Sequence, residues 1–338
     1  MKRKKILSLI LAMLIVLSAC GSNKDQAGSL KSGTKKVTVG ISQFARHKSL
    51  DNCREGFIEG LRESGYKEGQ NLVVDYQNAD TSIDMSNQIA LNFASKKYDM
   101  IGAIATPAAM SAYSQIRNSD IALVYTAIND PVAAQLAKKD KSPIGNATGT
   151  SDALPVEDQL KLIREMLPQA KTIGIMYTIS EANSISTIEV YKEYAPKYGF
   201  ELKLVGVSAA SEIPLATDKI LNEVDCLTNI TDNTVVNSLP TILAKAKEKK
   251  TPVFGSEIEQ VKLGCIGAQG IDYFQLGIQT GKMAAKILNG EAKASEINYE
   301  TVEESKLYIN KAVAKNLGIN LSENLLNRAS EIFESTEN

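Results

Sequence analysis

The chain has 338 residues, 43% of them hydrophobic and 23% charged, with 38 basic against 39 acidic side chains. Apolar residues spread along the whole sequence exclude a disordered tail protein and a polytopic membrane protein. A net charge of -1 supplies none of the clustered positive charge that nucleic acid requires. At this length two domains are the expectation. Four cysteines without a CxxC pair and a single histidine, His47, leave little material for a zinc site, so no metal or cofactor is expected.

The N-terminus opens with Lys2, Arg3, Lys4 and Lys5, followed by a run over residues 6–17 that is apolar apart from Ser8. That run is too short for a comfortable membrane span and reads as a signal peptide over residues 1–19. The string Leu17-Ser18-Ala19-Cys20-Gly21 resembles a bacterial lipobox, whose small residues permit cleavage before a cysteine that then receives lipid. Lipidation of Cys20 predicts a protein anchored to the cell membrane on its extracytoplasmic face, because several acyl chains exceed the threshold for stable anchoring. The alternative is an ordinary secretory signal that happens to contain a cysteine. Residues 20–36 read as the lipidated cysteine and a flexible tether, rich in Gly, Ser and Lys. The remaining Cys53, Cys226 and Cys265 are odd in number and widely spaced, and read as small buried apolar groups.

From Val37 onward short β-rich runs alternate with longer helical ones. Strands are predicted over 37–42, 72–76, 100–105 and 121–125, with helices over 49–61, 83–94 and from Pro107, whose ring suits a first helical turn. Ser49 is the expected cap of the first helix. A second series follows, with helix 156–167, strand 172–177, helix 185–198, strand 201–207, helix 213–224, strand 226–228, helix 236–249 and strand 252–255. Two βαβ series of similar size imply an α/β protein with two doubly wound lobes of mainly parallel sheet. Ligands in such sheets sit beyond the carboxyl ends of the strands. Here those positions are polar and small in both halves, as in Ser42-Gln43, Thr106-Pro107-Ala108, the segment 126–131, the segment 148–152, Thr231-Asp232-Asn233 and Ser256-Glu257. Helix capping and turn formation explain any one of these alone, whereas their recurrence in both lobes points to a cleft lined with hydrogen-bonding groups.

The strings ISQFARHKSLDNCREGF, DYQNAD, AIATPAAM, YTAINDPVAA, NATGTSDALPVEDQLKLI, SEANS, TDNTVVNS and GIDYFQLGIQTGKMAAKIL resemble the substrate-binding lipoproteins of ABC importers of the tryptophan/tyrosine type. The likeness runs from about Val37 to Ile319, with ARHK after Phe44 as a departure in a loop that borders the cleft. The resemblance implies a type I periplasmic-binding-protein fold, with two lobes, a three-crossover hinge and an amino acid, often aromatic, trapped between them. It places lobe 1 at residues 37–151 plus 273–297 and lobe 2 at 152–272 plus 298–338. Hinge crossings then fall near Thr150-Ser151, Ile271-Asp272 and Asn298, where Gly149 and Gly270 are expected to absorb backbone rotation. The implied partner is a membrane permease driven by a separate ATPase chain, with the binding protein itself a monomer.

An α-amino acid needs partners for a carboxylate, an ammonium and a side chain. The N-terminus of the helix at Pro107, with Thr106 and Ala108, is the expected carboxylate site, supported by Thr150 and Ser151. Asp232, Asp130 and Glu181 are the candidates for the ammonium, Asp232 foremost, with Asn129, Asn183 and Asn233 orienting the ligand. Ser42, Gln43, Thr126, Glu257 and Asp272 complete the expected lining, and Phe44, Tyr125 or Tyr273 are candidates to stack on an aromatic side chain. Each acid also fits a helix cap, and each aromatic fits the core. No GxSxG elbow, HExxH, Walker A loop or GxGxxG fingerprint is present. His47, between Arg46 and Lys48, reads as an exposed side chain and not as a general base. A binding protein for another small molecule, such as a nucleoside or a branched-chain amino acid, is the second reading, and a surface lipoprotein enzyme the third.

Overall fold

A computed structural model describes residues 36–302 and 305–337 of the chain, so Cys20 and its lipobox lie outside the described residues. The first half alternates β1 (Val37–Gln43), α1 (Lys48–Glu63), β2 (Leu72–Asn78), α2 (Ile83–Ser95), β3 (Met100–Ile104), α3 (Thr106–Ile116), β4 (Ala122–Ile128) and β5 (Ala147–Ser151). The second half continues through α4 (Val156–Met166), β6 (Thr172–Thr178), α5 (Ala182–Tyr194), β7 (Glu201–Val207), α6 (Ile213–Ile220) and β8 (Cys226–Thr228). It goes on with α7 (Asn233–Asn237), α8 (Leu239–Lys249), β9 (Val253–Phe254), α9 (Ile258–Leu263) and β10 (Gly267–Gly270). The chain ends in α10 (Tyr273–Leu288), β11 (Glu300–Thr301), β12 (Lys306–Asn310), α11 (Lys311–Leu317), α12 (Glu323–Arg328) and β13 (Glu331–Phe333).

The first sheet has the order β11-β5-β4-β3-β1-β2, all parallel. Its central strands β3 and β4 are buried at every residue, whereas edge strand β2 is mostly half-exposed. This is the pattern of a sheet covered on both faces by crossover helices. The second lobe is built on the parallel sheet β7-β6-β8-β9 and on a smaller one, β10-β12-β13, in which β10 runs antiparallel to β12. Its C-terminal strands are short and mixed with polar residues, which hides their period. One apolar core gathers residues of the first sheet with Tyr273, Leu276, Met283 and Ala284 of α10. Two further cores fill the second lobe, and the C-terminal segment joins one through Leu307, Ile309 and Leu325 and the other through Tyr308. The chain therefore crosses between lobes three times, after β5, between β10 and α10, and between β11 and β12.

Two local expectations need correction, and two glycines at the crossings have a packing role. Glu300–Thr301 pairs with Thr150 and Ser151 of β5, so this segment extends the first sheet although a boundary at Asn298 assigns it to the second lobe. Helix α1 starts at Lys48, and Ser49 lies inside its first turn; the N-cap position is His47, whose side chain does not cap. Gly149 and Gly270 have no left-handed backbone. A Cβ on Gly149 would lie 1.9 Å from the Tyr125 carbonyl oxygen, and one on Gly270 would lie 2.2 Å from that of Ser256. Both glycines permit close backbone approach, a packing role.

Glycine also sets the pairing of α1 with α10. Gly56 and Gly60 on α1 face Gly277 and Gly281 on α10, and a Cβ at any of the four would come within 2.1 to 2.3 Å of a carbonyl oxygen of the other helix. The backbones touch along this seam. It ties His47 and Ser49, at the start of α1, to Tyr273, at the start of α10.

Candidate ligand-binding site

In both parallel sheets the chain order reverses at one place, between β1 and β3 in the first and between β6 and β8 in the second. The loops leaving those strands diverge there and open a crevice. A cavity is lined by these strand-end residues of both lobes. The first lobe supplies His47, Ser49 and Leu50 after β1, Ala105 and Thr106 after β3, and Ala127 and Asn129 at the end of β4. The second supplies Asn183, Thr231, Asn233, Glu257 and Gln260, with Asp152 and Tyr273 beside two of the crossings.

The lining is held in place by its own hydrogen bonds and by local strain. Ala105 has φ 79°, a rare conformation for a residue with a Cβ, and its N–H donates to Thr126 O at 3.1 Å. That residue turns the chain from β3 into α3 and brings Thr106 to the cavity wall. Ala127 has φ 55° and sits where the β4–β5 register shifts. Across the cleft, Ser49 Oγ donates to Glu257 Oε1 at 3.1 Å, Asn52 Nδ2 to Glu259 Oε1 at 3.0 Å, and Thr187 Oγ1 to Asn129 Oδ1 at 2.9 Å. The lobes are thus drawn together.

Buried polar atoms without a partner among the described residues identify what a ligand must supply. Thr106 Oγ1, Asp152 Oδ1, Asn183 Oδ1 and both ring nitrogens of His47 are such atoms, and all five belong to cavity-lining residues. The other oxygen of Asp152 accepts a 2.5 Å hydrogen bond from the Tyr273 hydroxyl. Burial pushes the Asp152 carboxyl up to about 6, with the Tyr273 hydrogen bond pulling it down. Burial likewise pushes Glu257 up to about 7, against the N–H groups of Glu259 and Gln260 and the hydroxyl of Ser49. The site therefore combines two unfilled acceptors, at Asp152 and Asn183, with a hydroxyl at the N-terminus of the eleven-residue helix α3. A group carrying an ammonium and a carboxylate is complementary to that set.

The expected site residues divide in two. Thr106, Asn129, Asn183, Asn233 and Glu257 line the cavity. Asp232, expected to hold the ammonium, does not: its carboxylate accepts from Thr178 N, Thr178 Oγ1, Ser184 Oγ and Val235 N, and it caps α7. Glu181 accepts from Asn183, from Asn233 through both backbone and side chain, and from Thr234, so it supports the loop behind the cavity. Burial and then the Asp232 charge raise its pKa. Asp130 binds the N–H groups of Val132 and Ala133, and Asp272 caps α10 through Phe274 and Gln275. Thr126 and Thr150 close a buried ring of hydroxyls with Thr280, at 2.8 to 3.0 Å, below the site. Gln43 is engaged by Ala45, Asp51 and Arg54. Ser151 Oγ donates to Asn129 O, Pro107 and Ala108 are buried in α3, and Ser42 is buried outside the lining. Of the aromatic candidates only Tyr273 reaches the cavity, while Phe44 and Tyr125 are core residues.

Two important residues escape the sequence reasoning. Asp152 lies at the end of a polar strand-end segment, but its partner Tyr273 is 121 residues away and no local pattern announces the pair. His47 sits between two exposed cations, yet its ring turns inward, where desolvation lowers its pKa to about 4 against the opposing influence of the Asn233 side chain and the Asp51 charge.

A bilobed α/β fold with a partly unsatisfied polar cavity at both switch points is that of a type I periplasmic binding protein. Residues 38–333 match the family model for ABC transporter substrate binding proteins, and the chain belongs to that family. It is 38% identical over 323 residues, 94% of this chain and 93% of the relative, to a tyrosine-binding protein of Clostridioides difficile (strain R20291). Among solved structures it resembles an ABC domain from Streptococcus pneumonia in complex with L-Trp, with a TM-score of 0.85, 32% identity, and coverage of 88% of this chain and 100% of that one. It also resembles a ligand-free, open substrate-binding protein with adhesive properties from Clostridium difficile, with a TM-score of 0.67, 38% identity, and coverage of 89% and 100%.

Proposed function

We propose that the protein is the receptor of an ABC importer, a lipid-anchored extracytoplasmic protein that captures an aromatic α-amino acid between its lobes and delivers it to a membrane permease. The observation that carries this reading is the set of unpartnered atoms in the cavity. The ligand ammonium donates to Asp152 and Asn183, and its carboxylate accepts from Thr106 and the free N–H groups at the start of α3. Aromatic amino acids are favoured by the L-Trp and tyrosine relatives. The lipobox at Cys20 supports the anchor, and the family supports a permease whose ATPase is a separate chain. The protein acts as a binder and not as an enzyme, and works as a monomer.

Analogues that lack one charge test the reading. L-tryptophan or L-tyrosine is expected to bind at least about tenfold more tightly than the matching deaminated acid or the amine without a carboxylate, because each leaves a buried polar group unpaired. Equal affinity for the deaminated acid would remove Asp152 and Asn183 from the ammonium site.

A further inference from the structure

We propose that His47 is a specificity residue whose imidazole hydrogen-bonds a hydroxyl on the ligand's side chain, selecting tyrosine over phenylalanine. This rests on the amino-acid reading above. His47 occupies the N-cap position of α1 with an extended backbone, φ -142° and ψ 160°, but its side chain leaves the helix uncapped. The ring instead lines the cavity beside the Asn233 side chain, and neither of its buried nitrogens makes a hydrogen bond of good geometry among the described residues. Two buried nitrogens on this half-buried side chain carry a desolvation cost, which a ligand group can offset.

The charge state narrows that group. With its pKa held near 4 by burial, the ring is neutral at physiological pH and presents one donor and one acceptor. The amino-acid head already has counterparts in Thr106, Asp152 and Asn183. His47 is thus left for the side chain. The lining also includes Leu50, Ala105, Ala127 and Val236, which offer apolar contact to a ligand ring, and Asn233 lies beside His47. A phenol hydroxyl both gives and accepts a hydrogen bond, as a neutral imidazole does, whereas a plain phenyl ring leaves both nitrogens unpaired. Sites built to bind a hydroxyl reject the analogue without it far more strongly than apolar pockets reject an added group.

The test is calorimetric titration of the protein and of His47→Leu and His47→Gln with L-tyrosine and L-phenylalanine at neutral pH. The unaltered protein should prefer L-tyrosine by about tenfold or more. His47→Leu should shrink that preference to within about threefold by weakening L-tyrosine alone, and His47→Gln, whose amide also gives and accepts, should restore most of it. Equal losses for both ligands in His47→Leu, an unchanged preference, or no preference in the unaltered protein would each overturn the assignment. If neither amino acid binds the unaltered protein and L-tryptophan does, His47 selectivity for a hydroxyl falls while the amino-acid reading stands. If none of the three binds, both fall.

Discussion

A buried carboxylate with one oxygen bound and the other free makes Asp152 the most consequential residue of the cleft. Its pKa near 6 lies above the ordinary aspartate value, so burial favours the neutral form. The corresponding stability is present below the unfolded pKa of 3.8 and is lost as pH rises through about 6. An ammonium beside Asp152 reverses this preference, so amino-acid binding must release the proton below pH 6. Affinity is expected to be flat above about pH 7 and to fall by up to about tenfold per unit below pH 6. Glu257, near 7, also titrates in this range, so the comparison with Asp152→Asn is decisive. That variant should bind about tenfold or more weakly at pH 7.5 and lose the slope below pH 6; an unchanged slope would assign it to Glu257. The residues also show what was legible in the chain. Strand-end positions such as Thr106, Asn129 and Asn183 followed from the alternation of strands and helices. The choice among carboxylates did not, because a cap such as Asp232 and a ligand acceptor such as Asp152 have the same chemistry and differ only in how many donors tertiary structure brings to them.

At the scale of elements, the α1–α10 seam connects stability to binding. Gly56 and Gly277 lie where helix backbones meet, and Gly56→Ala forces its Cβ toward the Phe274 carbonyl oxygen, 2.1 Å away before relaxation. The helices must separate, and the expected cost is about 1–3 kcal/mol by denaturant titration. Because His47, Ser49 and Tyr273 stand at the N-termini of these two helices, ligand affinity should fall as well. A loss of stability with unchanged affinity would show that the seam does not position the cleft. Most of the parallel strands were legible from their apolar runs. The short C-terminal strands and the pairing of β11 with β5 were not, since two or three mixed residues carry no readable period and their partners lie far away in sequence. Nor does spacing alone reveal that four glycines on two distant helices face one another.

The whole molecule is a balance between two lobes. Ser49–Glu257, Asn52–Glu259 and Thr187–Asn129 join the lobes across the cleft, but individual hydrogen bonds contribute only about 1 kcal/mol net. The unpartnered atoms inside oppose closure until a ligand fills them. An amino acid that satisfies them favours the closed state by that difference, which couples capture to the conformation a permease meets. The central claim is that the filling molecule is an aromatic amino acid, and a calorimetric titration of the protein with L-tyrosine, L-tryptophan and L-leucine tests it most directly. One-to-one binding of an aromatic ligand at micromolar affinity or better, with L-leucine weaker by about tenfold or more, is the predicted result. Silence toward both aromatic amino acids, or L-leucine binding as tightly as either, would contradict it.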